Sequence, residues 1–160
     1  MSATRGPVGH PSWLDHTDRS LIAALQANGR EPFRPLAARL GVSEATVRNR
    51  YARLVDAGVL QVTAVTNPIA MGYDAIAMLG LNVDGPAEVV ADELATWEEV
   101  IYAVIVAGRY DLLVEVVSRD RHELLLLLNR VKVLAGVNAA ETFMYLDLAV
   151  QRNDFGTAVA

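Results

Sequence analysis

The sequence predicts an α+β chain in two parts, and three observations predict it. Apolar residues recur at helical spacing between glycine stops over roughly the first sixty positions, a βαββαβ order of apolar segments follows, and the sign of the charge changes between the two. Residues 1 to 60 hold eight Lys and Arg against five Asp and Glu, a net +3, whereas residues 61 to 160 hold six against fourteen, a net −8. The whole chain of 160 residues carries −5, yet a basic first third on an acidic remainder is the asymmetry expected when only that third meets phosphates.

Helix one is predicted over residues 15–28, where Leu21, Ile22 and Leu25 share a face, Asp15 caps the start and Gly29 suits a left-handed stop. A second helix opens at Pro35, where a missing N–H costs nothing, turns Leu36, Ala37 and Leu40 inward and ends at Gly41. Ser43 is a strong N-cap for a third helix, from Glu44 to about Ala57, with Glu44 in the positive end of its dipole and Gly58 closing it. Residues 59–65 are β-branched and alternating and read as a strand, before Asn67-Pro68 and Met71-Gly72 break the pattern.

Beyond Tyr73 the order is strand (75–83), helix (86–97), strand (100–107), tight turn (108–111), strand (112–118), helix (121–134) and strand (137–150). A split βαβ of this kind is the ferredoxin-like arrangement, a four-stranded antiparallel sheet with both helices on one face. The segments 100–107 and 112–117 are apolar almost throughout apart from Glu115, so the other face calls for a partner. Five successive leucines, Leu124 to Leu128, are apolar all round a helix and also point to self-association. Val89, Leu94 and Trp97 are expected to share a helix face against the sheet. The organisation is thus a disordered lead-in (1–13), a helix-turn-helix or winged-helix-like domain (14–60), a strand and linker (61–74), a ferredoxin-like domain (75–151) and a tail (152–160).

The absence of cysteine excludes disulfides, thiolate zinc sites and cysteine nucleophiles, and makes a reducing cytoplasm the natural setting. His10, His16 and His122 are scattered, so no metal and no cofactor is expected. No apolar stretch approaches the roughly 20 residues that cross a bilayer, and the polar, Gly- and Pro-rich start has no apolar core of a secretory leader.

Residues 36–54 have the spacing of a helix-turn-helix: Ala37 lets two helices approach, Gly41 permits the sharp turn, and Val47 and Leu54 point inward. Glu44, Ala45, Thr46, Arg48, Asn49 and Arg50 then lie in the early turns of the third helix, the part presented to base edges in the major groove of double-stranded DNA, and Ser43 at its cap is counted with them as DNA-binding. Arg suits guanine and Asn adenine, while Arg53, further along, suits phosphate. The plainer alternative is an arginine-rich amphipathic helix that is simply solvated. On the DNA reading, Arg50→Ala weakens DNA binding without unfolding the protein.

The motifs Leu14-Asp15 through Asp18 to Leu25 and Arg30, the segment 36–54 followed by Gly58-Val59-Leu60, the turn Gly108-Arg109-Tyr110-Asp111-Leu112-Leu113, and Gly136-Val137 with Glu141-Thr142 together resemble the Lrp/AsnC, or feast/famine, family over nearly all of residues 14–151. The resemblance implies regulators that dimerise with sensor sheets face to face, often assemble to tetramers, octamers or disks, bind amino acids near the glycine turn, and control genes of amino-acid metabolism. Two positions depart from the pattern. Arg34 replaces a small capping residue before Pro35, which predicts a less firmly capped second helix, and Tyr51 is aromatic where an aliphatic residue is usual.

An amino-acid effector needs donors for its carboxylate and an acceptor for its ammonium. Gly108, Arg109 and Tyr110 can supply the donors, Asp111 or Glu141 the acceptor, and Thr142 a hydroxyl. Asp111 equally suits ordinary hairpin chemistry, bonding its own loop backbone beside a positive-φ Gly108. A competing function is a small-molecule-binding oligomer or metabolic enzyme in which the first helices serve only assembly. No phosphate loop, metal spacing or nucleophile signature stands in the sequence, so catalysis is not expected.

Overall fold

The computed structural model describes residues 12–150; residues 1–11 of the expected lead-in, Gln151 and the whole of the expected tail, 152–160, lie outside them. Two compact units result, with the division between Val65 and Thr66. The first contains α1 (His16–Ala27), α2 (Phe33–Leu40) and α3 (Glu44–Asp56). Asp15 and Asp18 form a reciprocal capping box at the start of α1. Leu21, Leu36, Val47 and Leu54 are fully buried where the three helices meet, with Leu25, Ala37 and Leu60 closing the cluster. Gly41 takes the left-handed conformation, φ 67°, which lets α2 stop and the chain turn sharply into α3.

Helix α2 begins at Phe33, two residues before the expected Pro35, with Pro32 at the N-cap and no side-chain hydrogen bond there. The aromatic Tyr51 has a partner: its ring lies 5.2 Å from that of Phe33, and both pack on the cluster. The strand expected over 59–65 does not form, and no wing strand exists among the described residues of this unit. A lone strand has no ladder to join, and Val62 and Val65 remain 43% and 60% exposed.

The second unit holds β1 (Ala75–Val83), α4 (Ala87–Leu94), β2 (Val100–Ile105), β3 (Leu112–Ser118), α5 (Arg121–Lys132) and β4 (Val137–Met144). The four strands order as β2-β3-β1-β4, every pair antiparallel, which is the ferredoxin-like topology. Ala75, Ala77, Leu79 and Leu81 alternate onto one face of β1 and pack with Leu112, Val114 and Val116 against Val90 and Leu94 of α4 and Leu124, Leu127 and Val131 of α5. Among the described residues no helix is long and apolar enough to cross a membrane.

Three expectations change here. Val89 is exposed, because Val90 and Leu94, four residues apart, form the buried stripe of α4 and Val89 lies about 140° round from Leu94; Trp97 stands beyond the end of α4, half-buried on the core with the Arg130 guanidinium 4.0 Å over its ring. The leucine run divides: Leu124 and Leu127 are buried, while Leu125 and Leu126 face outward. Strand β4 ends at Met144, not at position 150.

The other face of the sheet carries no element of its own unit. Ile76, Met78, Tyr102, Val104, Leu113 and Phe143 share it, by the cross-strand register. Across this face Tyr145 hydrogen-bonds to Glu115, and partial burial with that neighbouring carboxylate pushes its phenol from 10.0 up to about 12. The neutral phenol is therefore favoured in the folded state. Its contribution to stability is complete below pH 10 and is lost as pH rises through about 12. In phenolate absorbance titrations, subtracting Tyr145→Phe from wild type should leave one tyrosine titrating near 12; a difference curve centred near 10 would refute the burial argument.

Candidate nucleic-acid interface and sensor turn

Helix α3 is set in place by its cap and by one buried charge. The Ser43 hydroxyl accepts from the Thr46 N–H at 3.1 Å and lies 2.8 Å from the Thr46 hydroxyl, so both side chains serve the first turn. At about 100° per residue, Glu44, Ala45, Arg48, Asn49 and Ala52 form a single exposed stripe opposite Val47 and Leu54. Arg50 and Arg53 fall on the flank that meets α1, and there they find Asp18.

Asp18 is fully buried, and three donors surround its carboxylate. Arg50 reaches one oxygen at 2.8 Å, Arg53 the other at 2.7 Å, and the Asp15 N–H the latter at 3.2 Å. Arg50 also donates to Asp15 at 2.7 Å, and these two carboxylates, Asp15 foremost, hold its guanidinium above the ordinary value. The Asp15 carboxyl is held below its own ordinary value, by the Asp18 N–H first and by Arg50 second. Arg53 lies 4.6 Å over the Trp13 ring. Arg48 pairs with Glu44 at 3.0 Å on the helix surface and sits 5.4 Å over Phe33.

Of the residues the sequence marks for DNA, the structure thus brings Glu44, Arg48 and Asn49 onto one exposed stripe, gives Ser43 and Thr46 to the cap, and turns Arg50 and Arg53 toward α1. Sequence reasoning missed Asp18 as the centre of this arrangement. The signal was present: Asp18 stands three residues before Leu21 and seven before Leu25, a charge on the buried stripe of an amphipathic helix.

In the second unit Tyr110 donates to Glu141, and Arg109 pairs with the same carboxylate at 3.0 Å with its guanidinium 5.4 Å over the Tyr110 ring. The hydrogen bond to Glu141, with desolvation behind it, holds the Tyr110 phenol above its ordinary value. Phe143 meets the Tyr110 ring edge-on at 6.1 Å. Gly108 supplies the turn with φ 151°. Asp111 is engaged otherwise: its carboxylate accepts from the Val83 N–H at 2.9 Å, tying the turn to β1 and not to its own loop. Thr142 pairs in register with Leu79, which places it on the helix-covered face, away from Glu141. Two further residues support the turn. The Asn82 amide donates to the Arg109 carbonyl at 2.8 Å, and Gly80 leaves the space in which the Tyr110 ring lies, since a Cβ there would stand 2.8 Å from three ring carbons. A glycine inside an otherwise apolar strand is the readable sign of such a close approach.

A helix-turn-helix with an exposed polar stripe, joined to a ferredoxin-like sheet with a polar cluster at its glycine turn, defines a two-domain DNA-binding regulator. The AsnC-type helix-turn-helix domain model matches residues 14–55, and the Lrp/AsnC ligand binding domain model matches residues 75–155. The chain belongs to the Lrp/AsnC family of transcriptional regulators. It is 33% identical over 135 residues to the HTH-type transcriptional regulator FL11 of Pyrococcus furiosus, a match covering 83% of this chain and 89% of that one. The leucine response regulatory protein LrpA of Mycobacterium tuberculosis superposes with a TM-score of 0.83 at 29% identity, covering 89% of this chain and 99% of that one. The corresponding values for E. coli AsnC are 0.74, 25%, 88% and 97%.

Removing one partner of a buried pair leaves an uncompensated charge, at a cost of up to about 3–5 kcal/mol. Arg50→Ala is therefore expected to lower stability in urea unfolding by well over 1 kcal/mol, against the first expectation of an intact fold. Arg53→Ala, at a half-exposed side chain, should cost less. Equal, negligible losses for both would remove Asp18 from its central role.

Proposed function

We propose that this regulator binds operator DNA sequence-specifically as a homodimer, through the exposed stripe of α3, and that an amino acid or related small metabolite at the Gly108 turn changes its DNA affinity or its assembly. The observation that carries the reading is the pairing of that stripe, with Glu44, Arg48 and Asn49 outward, with a separate polar cluster of Arg109, Tyr110 and Glu141. Glu44 and Arg48 are a weak surface pair that parts at little cost, leaving Arg48 and Asn49 to read guanine and adenine edges. Two copies then meet half-sites about one helical turn apart, roughly 34–36 Å.

At the turn, Glu141 is the acceptor for an ammonium group and Arg109 the donor for a carboxylate, so a zwitterion satisfies both by entering between them. Asp111, tied to Val83, has its place in the scaffold of the turn. The leucine response named for the Mycobacterium relative supports an amino acid as effector class. The open, largely apolar sheet face is the surface that a second copy covers, and the outward Leu125 and Leu126 favour further assembly to a tetramer or octamer. The relatives are named regulators, and on that ground we read the chain as non-catalytic, at work in a reducing cytoplasm.

A thermal-shift screen of the amino acids tests the sensor, since a ligand at a hundred times its Kd adds about 2.7 kcal/mol. At least one should raise the melting temperature of wild type and leave Glu141→Gln unmoved; a response retained in Glu141→Gln would displace the site. For the assembly, Leu113→Glu is expected to sediment as a monomer under conditions where wild type is a dimer, and an unchanged dimer would move the interface off the open face.

A further inference from the structure

Phosphate contacts make DNA binding salt-dependent, because each phosphate neutralised by a Lys or Arg releases counterions from the DNA, and an arginine already bonded to a carboxylate has to give up that partner to make such a contact. In the first unit most arginines have a carboxylate within hydrogen-bond distance. Arg39 has Glu31 at 2.8 Å, Arg48 has Glu44 at 3.0 Å, Arg50 has Asp15 and Asp18 at 2.7 and 2.8 Å, and Arg53 has Asp18 at 2.7 Å. Moving Arg50 or Arg53 to a phosphate takes one of three donors from a carboxylate that is fully buried. Among the described residues of this unit, the side chains of Arg30 and Arg34 have no ion pair.

Arg34 is the better placed of these two. Arg30 lies in the loop before α2, whereas Arg34 is the second residue of that helix. Its neighbour Phe33 packs on Tyr51 and lies beneath Arg48, both on α3, so this end of α2 abuts the helix that enters the groove. Phe33, Leu36, Ala37 and Leu40 form the inward stripe of α2, and Arg34, about 100° round from Phe33, is exposed. When the second helix of such a pair lies in the major groove, the first crosses the sugar-phosphate backbone.

We propose that Arg34 is the principal phosphate-contacting cation of the helix-turn-helix, in place of the arginines of α3 that are paired within the protein. The assignment rests on the groove-docking reading of α3 given above. It also gives the unusual residue before Pro35 a role that capping does not.

The test is the salt dependence of full-length protein binding to a random-sequence duplex. Arg34→Gln should reduce the slope of log Kobs against log salt by about 0.9 for each DNA-seated domain, with an unchanged melting temperature. Arg34→Lys should restore the slope, and Arg39→Gln should keep the wild-type value. A wild-type slope in Arg34→Gln, or a slope lost in Arg30→Gln instead, overturns the assignment while leaving groove docking intact. A wild-type protein that binds no duplex overturns the groove reading and this assignment together.

Discussion

The Asp18 carboxylate has no contact with water, yet it accepts from Arg50, Arg53 and the Asp15 N–H, so a buried charge is matched by two donors from α3 and one from the N-cap of α1. An apolar residue at this position would pack α1 on α3 without fixing their rotation. A carboxylate does fix it, because each guanidinium must arrive along a lone-pair direction and each lost bond exposes an unmatched charge. The orientation of α3 about its own axis follows. With Arg50 and Arg53 held toward α1, the stripe from Glu44 to Ala52 is left facing outward.

The parts of the fold that were legible in the sequence were those governed by local periodicity and by glycine stops. Leu21 and Leu25, Val47 and Leu54, and the alternation from Ala75 to Leu81 each mark their buried face unaided. The strand expected over 59–65 was not realised, since β-branched alternation records a preference that only a neighbouring strand can satisfy. The site was legible as a set of residue types and illegible as a set of partners. Arg50 looks identical to Arg48 in the sequence; only the fold reveals that one faces a buried carboxylate and the other solvent.

The same limit governs the glycine turn. Asp111 and Glu141 were interchangeable as acceptors until the register separated them, one bonded to the Val83 N–H and the other beneath Arg109 and Tyr110. Thr142 shows how sharply a strand discriminates: one residue from Glu141, it lies on the opposite face. Tyr110 can lie over the sheet only because Gly80 has no side chain, so the ring, the carboxylate it bonds and the absent Cβ form one unit drawn from β1, the turn and β4.

Formal charge and functional charge part company in this protein. The net +3 of residues 1 to 60 points correctly to the half that meets DNA, but a tally of arginines does not identify the groups that meet it. An arginine bonded to a buried carboxylate contributes rigidity and almost no far field, whereas an unpaired one on an exposed helix flank contributes field and little stability. Firmness of the helix-turn-helix and affinity for phosphate therefore draw on different arginines in the docking proposed above. On the proposed docking, that division leaves the polar stripe of α3 for base edges and gives the backbone contact to a cation on α2.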